Sequence, residues 1–157
     1  MIGLGARAMG EPVSTPWIAA GDGFAADVAN DRTAFHEALA GLDALGDALA
    51  LSDKARFNLA LVVEEIGTNI LKYAFDESAD GRFGITVIRT DDVLTVTFVD
   101  GGVPFDPLAA EAPEKPLSIN DAQVAGFGLV LVRKAAQDLT YQRTDAGFNR
   151  LEVTLAA

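Results

Sequence analysis

Along the segment from Leu59 to Ala74, the apolar residues Leu59, Val62, Val63, Ile66, Ile70 and Ala74 fall into one stripe at 100° per residue. A helix of this kind is stable only when the stripe is laid on a second layer, so the chain is constrained to a packed, layered architecture. Asn58, Glu65, Asn69 and Lys72 form a polar seam beside the stripe. Just upstream, "LSDK" starts the helix, with Ser52 or Asp53 as its N-cap.

The partner layer is legible as β pattern. "FGITVIRTDDVLTVTFVD" has β-branched runs on either side of "TDD", which predicts an antiparallel hairpin. A second hairpin is expected in "LTYQRTDAGFNRLEVTL", turning near Asp145 to Gly147. Upstream, "GFAADVAND" predicts a short strand, and the Asp31 region then caps a helix from Thr33 to Leu49 whose face is Phe35, Leu39, Leu42, Leu45 and Leu49. "GFGLVLVRKAAQDL" reads as a glycine-rich entry into a further helix. The order β, α, α, ββ, α, ββ predicts an α+β fold, a two-layer α/β sandwich with a mixed, mostly antiparallel sheet and helices on one face. Residues 1–21 are expected to be a flexible N-terminal arm, and 22–157 one domain. Between the hairpins, "PLAAEAPEKPLSINDAQVA" holds three prolines and little periodicity, as a lid or binding loop does.

Composition removes several function classes. The chain has 157 residues, half of them hydrophobic, which is enough for one core without disulfides or metals. There is no cysteine, so no thiolate chemistry is available and no oxidising compartment is needed. Twelve basic against 23 acidic residues give a net charge of -11, which repels nucleic acid and anionic lipid. The first residues lack the apolar run of a signal peptide, and no stretch of about 18 apolar residues occurs. The expectation is a cytoplasmic protein with no direct nucleic-acid contact and no membrane association. His36, the sole histidine, lies on the first helix and is assigned no function.

Three polar signals stand out in this apolar frame. Asp100 shares strand parity with Leu94, Val96 and Phe98, so if those face the helices it points inward too and needs a hydrogen-bond donor from protein, water or ligand. A purine amino group would serve, and so would a turn begun by "DGGVPFDP". Gly126 and Gly128 in "GFGL" precede a helix, where free backbone N–H groups suit a phosphate, although two glycines equally suit a hinge. Glu65 and Asn69, four apart, project together: the carboxamide oxygen can ligate Mg²⁺ while the carboxylate stays free to take a proton. A solvated polar edge is the plainer alternative for that pair.

Taken in order, "EEIGTNILKYAF", "DGGVPFDP", "GFGLVLVRK" and "GFNRLEVTL" resemble the ATP-binding domain of the GHKL superfamily, nearest to the bacterial anti-sigma factor serine/threonine kinases of the partner-switching type. The resemblance runs over roughly residues 23 to 155. It implies an ATP- and Mg²⁺-dependent kinase with Glu65 as general base and Asn69 as the Mg²⁺ ligand. It further implies that Asp100 receives the adenine amino group, with Gly102 and Pro104 completing the D-x-G-x-P motif. Gly126, Gly128 and Leu129 carry over as the G-x-G-L phosphate motif, and Lys72 adds a charge-assisted contact. The implied partners are a sigma factor, which is sequestered, and a STAS-domain anti-anti-sigma protein, which is phosphorylated, with a homodimer as the assembly. The chain departs from the family in two places: "QVAG" offers no basic residue before the glycines, and "GFN" puts Phe148 and Asn149 where wider relatives place a threonine. The first departure keeps open a second reading, a non-catalytic ATP-binding module. A histidine-kinase fragment is disfavoured, since His36 is the only phosphoacceptor candidate of that type.

Overall fold

The computed structural model describes residues 12–75, 80–109 and 127–157. Its strands are β1 (Pro12–Ser14), β2 (Trp17–Ala20), β3 (Gly23–Ala29), β4 (Arg82–Thr90), β5 (Val93–Asp100), β6 (Asp138–Arg143) and β7 (Asn149–Ala156). The helices are α1 (Arg32–Ala40), α2 (Leu42–Ala48), α3 (Asp53–Tyr73) and α4 (Phe127–Ala135). The strands form one sheet in the order β1-β2-β3-β4-β5-β7-β6. Where the sequence predicts a mixed, mostly antiparallel sheet, every pairing among the described residues is antiparallel.

Alternation decides which face is covered. Phe24, Ala26 and Val28 of β3, Phe83, Ile85 and Val87 of β4, and Leu94, Val96 and Phe98 of β5 are buried, while the residues between them along each strand are not. The buried set joins the helical residues Leu59, Val62, Val63 and Ile66 in a single core. This is the two-layer sandwich with helices on one face that the periodicities predict. Ser52, of the two cap candidates, is the N-cap of α3: its side chain accepts a bond from the Ala55 N–H at 3.1 Å. The β4–β5 hairpin closes over Asp91 and Asp92, with Asp91 at φ 53°, a conformation a short polar residue tolerates. In the last hairpin the corresponding place is taken by Gly147 at φ 86°.

Two expectations are corrected by one residue. The stretch read as an arm is sheet from residue 12 onward, because Trp17 is fully buried and its indole N–H donates to the Ala38 carbonyl at 2.8 Å. Residues 1–11 of that stretch lie outside the described residues. The same ring divides the helix expected from Thr33 to Leu49. At Gly41, between α1 and α2, a Cβ would stand 2.6 Å from Trp17 Cδ1, so the indole occupies the space a side chain would need. The apolar spacing runs through this break because Phe35 before it and Leu42 and Leu45 after it all reach the same core.

The Trp17 anchor gives a stability prediction. Trp17→Ala is expected to cost about 3–5 kcal/mol, and Trp17→Phe, which forfeits the indole donor, about 1 kcal/mol, both read from urea unfolding. Unchanged midpoints in both variants would show that the first two strands add nothing to the fold.

Candidate functional site

The site is assembled where the C-terminal end of α3 meets the last residues of β5. Asp100 closes β5 on the covered face and is 6% exposed. Its Oδ1 accepts from the Gly102 N–H at 2.9 Å and from Asn149 Nδ2 at 2.9 Å. No donor among the described residues reaches Oδ2. Asn149 comes into play through register, since β5 and β7 pair Asp100 directly with Asn149 at the end of the ladder.

The turn after Asp100 is pressed against α3. A Cβ on Gly102 would lie 2.2 Å from the Ala74 carbonyl oxygen, and the Val103 N–H donates to that oxygen at 2.9 Å. Only a glycine allows the two backbones to approach so closely. On the other side, Arg143 of β6 donates to the Gly102 carbonyl at 2.8 Å. Asp100 is thereby set beside the helix edge that carries Asn69. Between them opens a small slot of about 40 Å³, with walls of Ile66, Ile70, Phe98 and Leu151 and with Asn69, Asp100, Tyr141 and Asn149 contributing polar groups. The walls are largely apolar, and the free carboxylate oxygen suits an N–H donor.

One turn before Asn69, Glu65 is half-buried. A Cβ on Gly128, in the first turn of α4, would fall on its carboxylate, so the glycine is what lets α4 begin against this group. Burial raises the Glu65 carboxyl above its ordinary range, neighbouring Glu64 raises it further, and Lys72 opposes both. The result is a carboxylate inclined to take a proton, next to a helix entry and a carboxamide. Among the described residues no group of three or more acidic or histidine side chains could hold a metal unaided. A cation held at Asn69 therefore needs further oxygen ligands, as Mg²⁺ obtains from water and phosphates.

Comparison with known proteins bears directly on this arrangement. Residues 28–155 match the histidine kinase-like ATPase domain family, a span that contains Glu65, Asn69, Asp100 and Asn149. The chain belongs to that family. It is also 35% identical over 103 residues to the serine/threonine-protein kinase BtrW of Bordetella bronchiseptica, an alignment covering 66% of this chain and 72% of that protein. An ATPase domain of this family implies ATP as a ligand of the chain. The site offers largely apolar walls, a carboxylate oxygen with no donor among the described residues, and a glycine in the first turn of α4.

The ATPase-domain frame also shows where the other residues singled out by sequence are placed. Pro104 is exposed and does not line the slot, whereas Pro107, three residues on, is buried and does. Lys72 is exposed and lines a different groove, together with Glu64, Thr68 and His36. Leu129 belongs to the core. Gly126 and nearly all of the proline-rich loop lie outside the described residues. The loop's first residues are held by α4, whose Arg133 donates to the carbonyls of Pro107 at 2.8 Å and Leu108 at 3.1 Å.

Tyr141 is the site residue that sequence reasoning missed, and Asn149, named only as standing in place of a threonine, was given no contact. The signal was present, since Leu151, Val153 and Leu155 share parity with Asn149 just as Leu94, Val96 and Phe98 do with Asp100. Tyr141 follows only from register, opposite Leu151 on β6.

The two glycines should respond differently to alanine. Gly128→Ala meets the far end of a flexible side chain, so nucleotide-dependent activity is expected to fall at least about tenfold as Glu65 is displaced, with a melting temperature close to wild type. Gly102→Ala meets backbone, so a clear loss of thermal stability is expected as well. Equal behaviour of the two in melting and activity assays would contradict this geometry.

Proposed function

We propose that the chain is an ATP- and Mg²⁺-dependent serine/threonine protein kinase of the partner-switching type, which phosphorylates a STAS-domain anti-anti-sigma protein and sequesters a sigma factor. The single observation that carries the reading is the half-buried Glu65 carboxylate, with its raised affinity for a proton, set against Gly128 and one helical turn before Asn69. The similarity to a protein named as a serine/threonine kinase supports the same reaction class.

In this reading ATP, with Mg²⁺, supplies the transferable phosphoryl group and the charge neutralisation on its phosphates. Asp100 accepts the base's amino hydrogen on Oδ2 and the slot excludes water around the ring. Asn69 presents its carboxamide oxygen to the metal. Backbone N–H groups at the start of α4 face the phosphates, and Gly128 keeps that approach clear. Glu65 takes the hydroxyl proton of the protein substrate as its oxygen becomes nucleophilic. Homodimerisation and cytoplasmic residence belong to the same proposal. Among the described residues no helix is long and apolar enough to cross a membrane.

The second reading, an ATP-binding module without turnover, draws on the lack of a basic residue in "QVAG" before the glycines. Labelled ATP, Mg²⁺ and the STAS protein separate the two. Label is expected to pass to a serine or threonine of that protein, and Glu65→Gln to slow it by about 100-fold or more. Nucleotide binding with no transfer in the wild type would favour the module, and undiminished transfer in Glu65→Gln would remove that residue as the base.

The proton affinity of Glu65 adds a pH test. Removing Glu64 with Glu64→Gln takes away a raising influence and should move the acid limb of the rate profile to lower pH, while Lys72→Met should move it higher. Stability follows the same carboxyl. Because the native state holds this proton more tightly than the unfolded chain, stability declines as pH rises from the ordinary carboxylate range through the raised native value. Glu65→Gln is therefore expected to melt higher than wild type near neutral pH, with the gap closing in acid.

A further inference from the structure

We propose that the groove between α1 and α3, on the side of α3 away from the slot, docks an acidic amphipathic segment of a protein partner. The inference goes beyond the nucleotide reading and does not depend on it, since slot and groove share no residue.

The groove holds about 610 Å³, against about 40 Å³ for the slot, which is room for several side chains. At 100° per residue, Glu64, Thr68 and Leu71 lie on the side of α3 opposite Ile66, Asn69 and Tyr73, so one helix serves both hollows. Packing fixes the groove's shape. A Cβ on Gly67 would stand 2.3 Å from Phe35 Cε2, so the glycine lets α1 lie directly on α3. Phe35 and Leu39 from α1, with Leu71 and Phe75 from the other wall, give the groove an apolar lining.

Its charge runs against that of the chain. Arg32, His36 and Lys72 line the groove, all exposed, with Glu64 as the one acid among its described residues, although the chain as a whole carries -11. Arg32 and His36 are four apart on α1 and project together. The fold accounts for the other described arginines: Arg56, Arg82 and Arg150 pair with carboxylates, and Arg89, Arg133 and Arg143 donate to backbone carbonyls. Arg32 makes no hydrogen bond or ion pair with any described residue. It is also the first residue of α1, where a cation opposes the helix dipole, so the helix gains nothing from its charge.

Apolar lining with a basic rim is complementary to a segment that carries leucine-like side chains on one face and carboxylates beside them. A small polyanion would leave the apolar lining unused. A second copy of the chain is the poorer fit, because two bodies of charge -11 repel.

The probe is a fluorescein-labelled peptide of about 16 residues built from leucine, glutamate and alanine, with leucine at i, i+3, i+4 and i+7 spacing and glutamate on the flanks. Its anisotropy is followed at low salt as the purified chain is added, without nucleotide. Wild type is expected to bind with a Kd of about 10–100 μM. Arg32→Glu and His36→Glu should each weaken this at least about tenfold, while Lys54→Glu, on an exposed residue outside the groove, stays within about twofold. Arg32→Glu puts an acid where the helix dipole favours one, so it keeps the fold, and it should bind a peptide with lysine for glutamate better than wild type does. No binding up to about 1 mM, or equal weakening in Lys54→Glu, would overturn the proposal. A glutamate peptide without leucine that binds as tightly, or inorganic tripolyphosphate that displaces the probe at equal concentration, would overturn it in favour of a small-polyanion site. A dimer in sedimentation that Arg32→Glu dissociates would overturn it in favour of a second copy.

Discussion

Everything at the site depends on a buried carboxylate satisfied on one side only. Taking Asp100 out of water is costly unless donors replace those lost, and two are provided, one from its own turn and one from the strand beside it. Both fall on the same oxygen. The other has no donor among the described residues and belongs to a slot lined largely by apolar groups. The sheet supplies this arrangement through register, since a shift of one residue between β5 and β7 would turn Asn149 to the solvent face and leave Asp100 with its turn alone.

The helix α3 shows how one element serves both core and site. Its stripe is buried and fixes the helix on the sheet, so the residues at the stripe's edge are held as firmly as the core while still reaching solvent. Glu65 and Asn69 occupy that edge. Half-burial of Glu65 is unfavourable for a charged carboxylate, and the same desolvation raises its proton affinity. Stability and reactivity are opposed at this residue. The two glycines address a different need, which is proximity: Gly102 brings the turn against Ala74, and Gly128 brings α4 against Glu65.

Where the sequence misled, competing tertiary contacts were the reason. The first strands are short and flanked by glycine and proline, so local pattern gave them no weight, yet a single indole inserted against Gly41 makes them part of the core. The helix break at Gly41 was invisible for a related reason. Hydrophobic spacing records which residues reach the core and is silent about a bend that keeps them there.

Local periodicity was sufficient to determine the sandwich, the α3 stripe and both later hairpins, narrowed the α3 cap to Ser52 or Asp53, and tied the direction of Asp100 to that of Leu94, Val96 and Phe98, because each follows from residue spacing along one element. The pairing of Glu65 with Asn69 on one face was legible for the same reason. Only the folded chain decided that Pro104 lies outside the slot and Lys72 on another groove, that Gly102 is required by Ala74, and that Asn149 and Tyr141 complete the polar end of the slot. Those facts depend on which strand lies next to which, and in what register, and distances of that kind are set by packing between elements far apart in the chain.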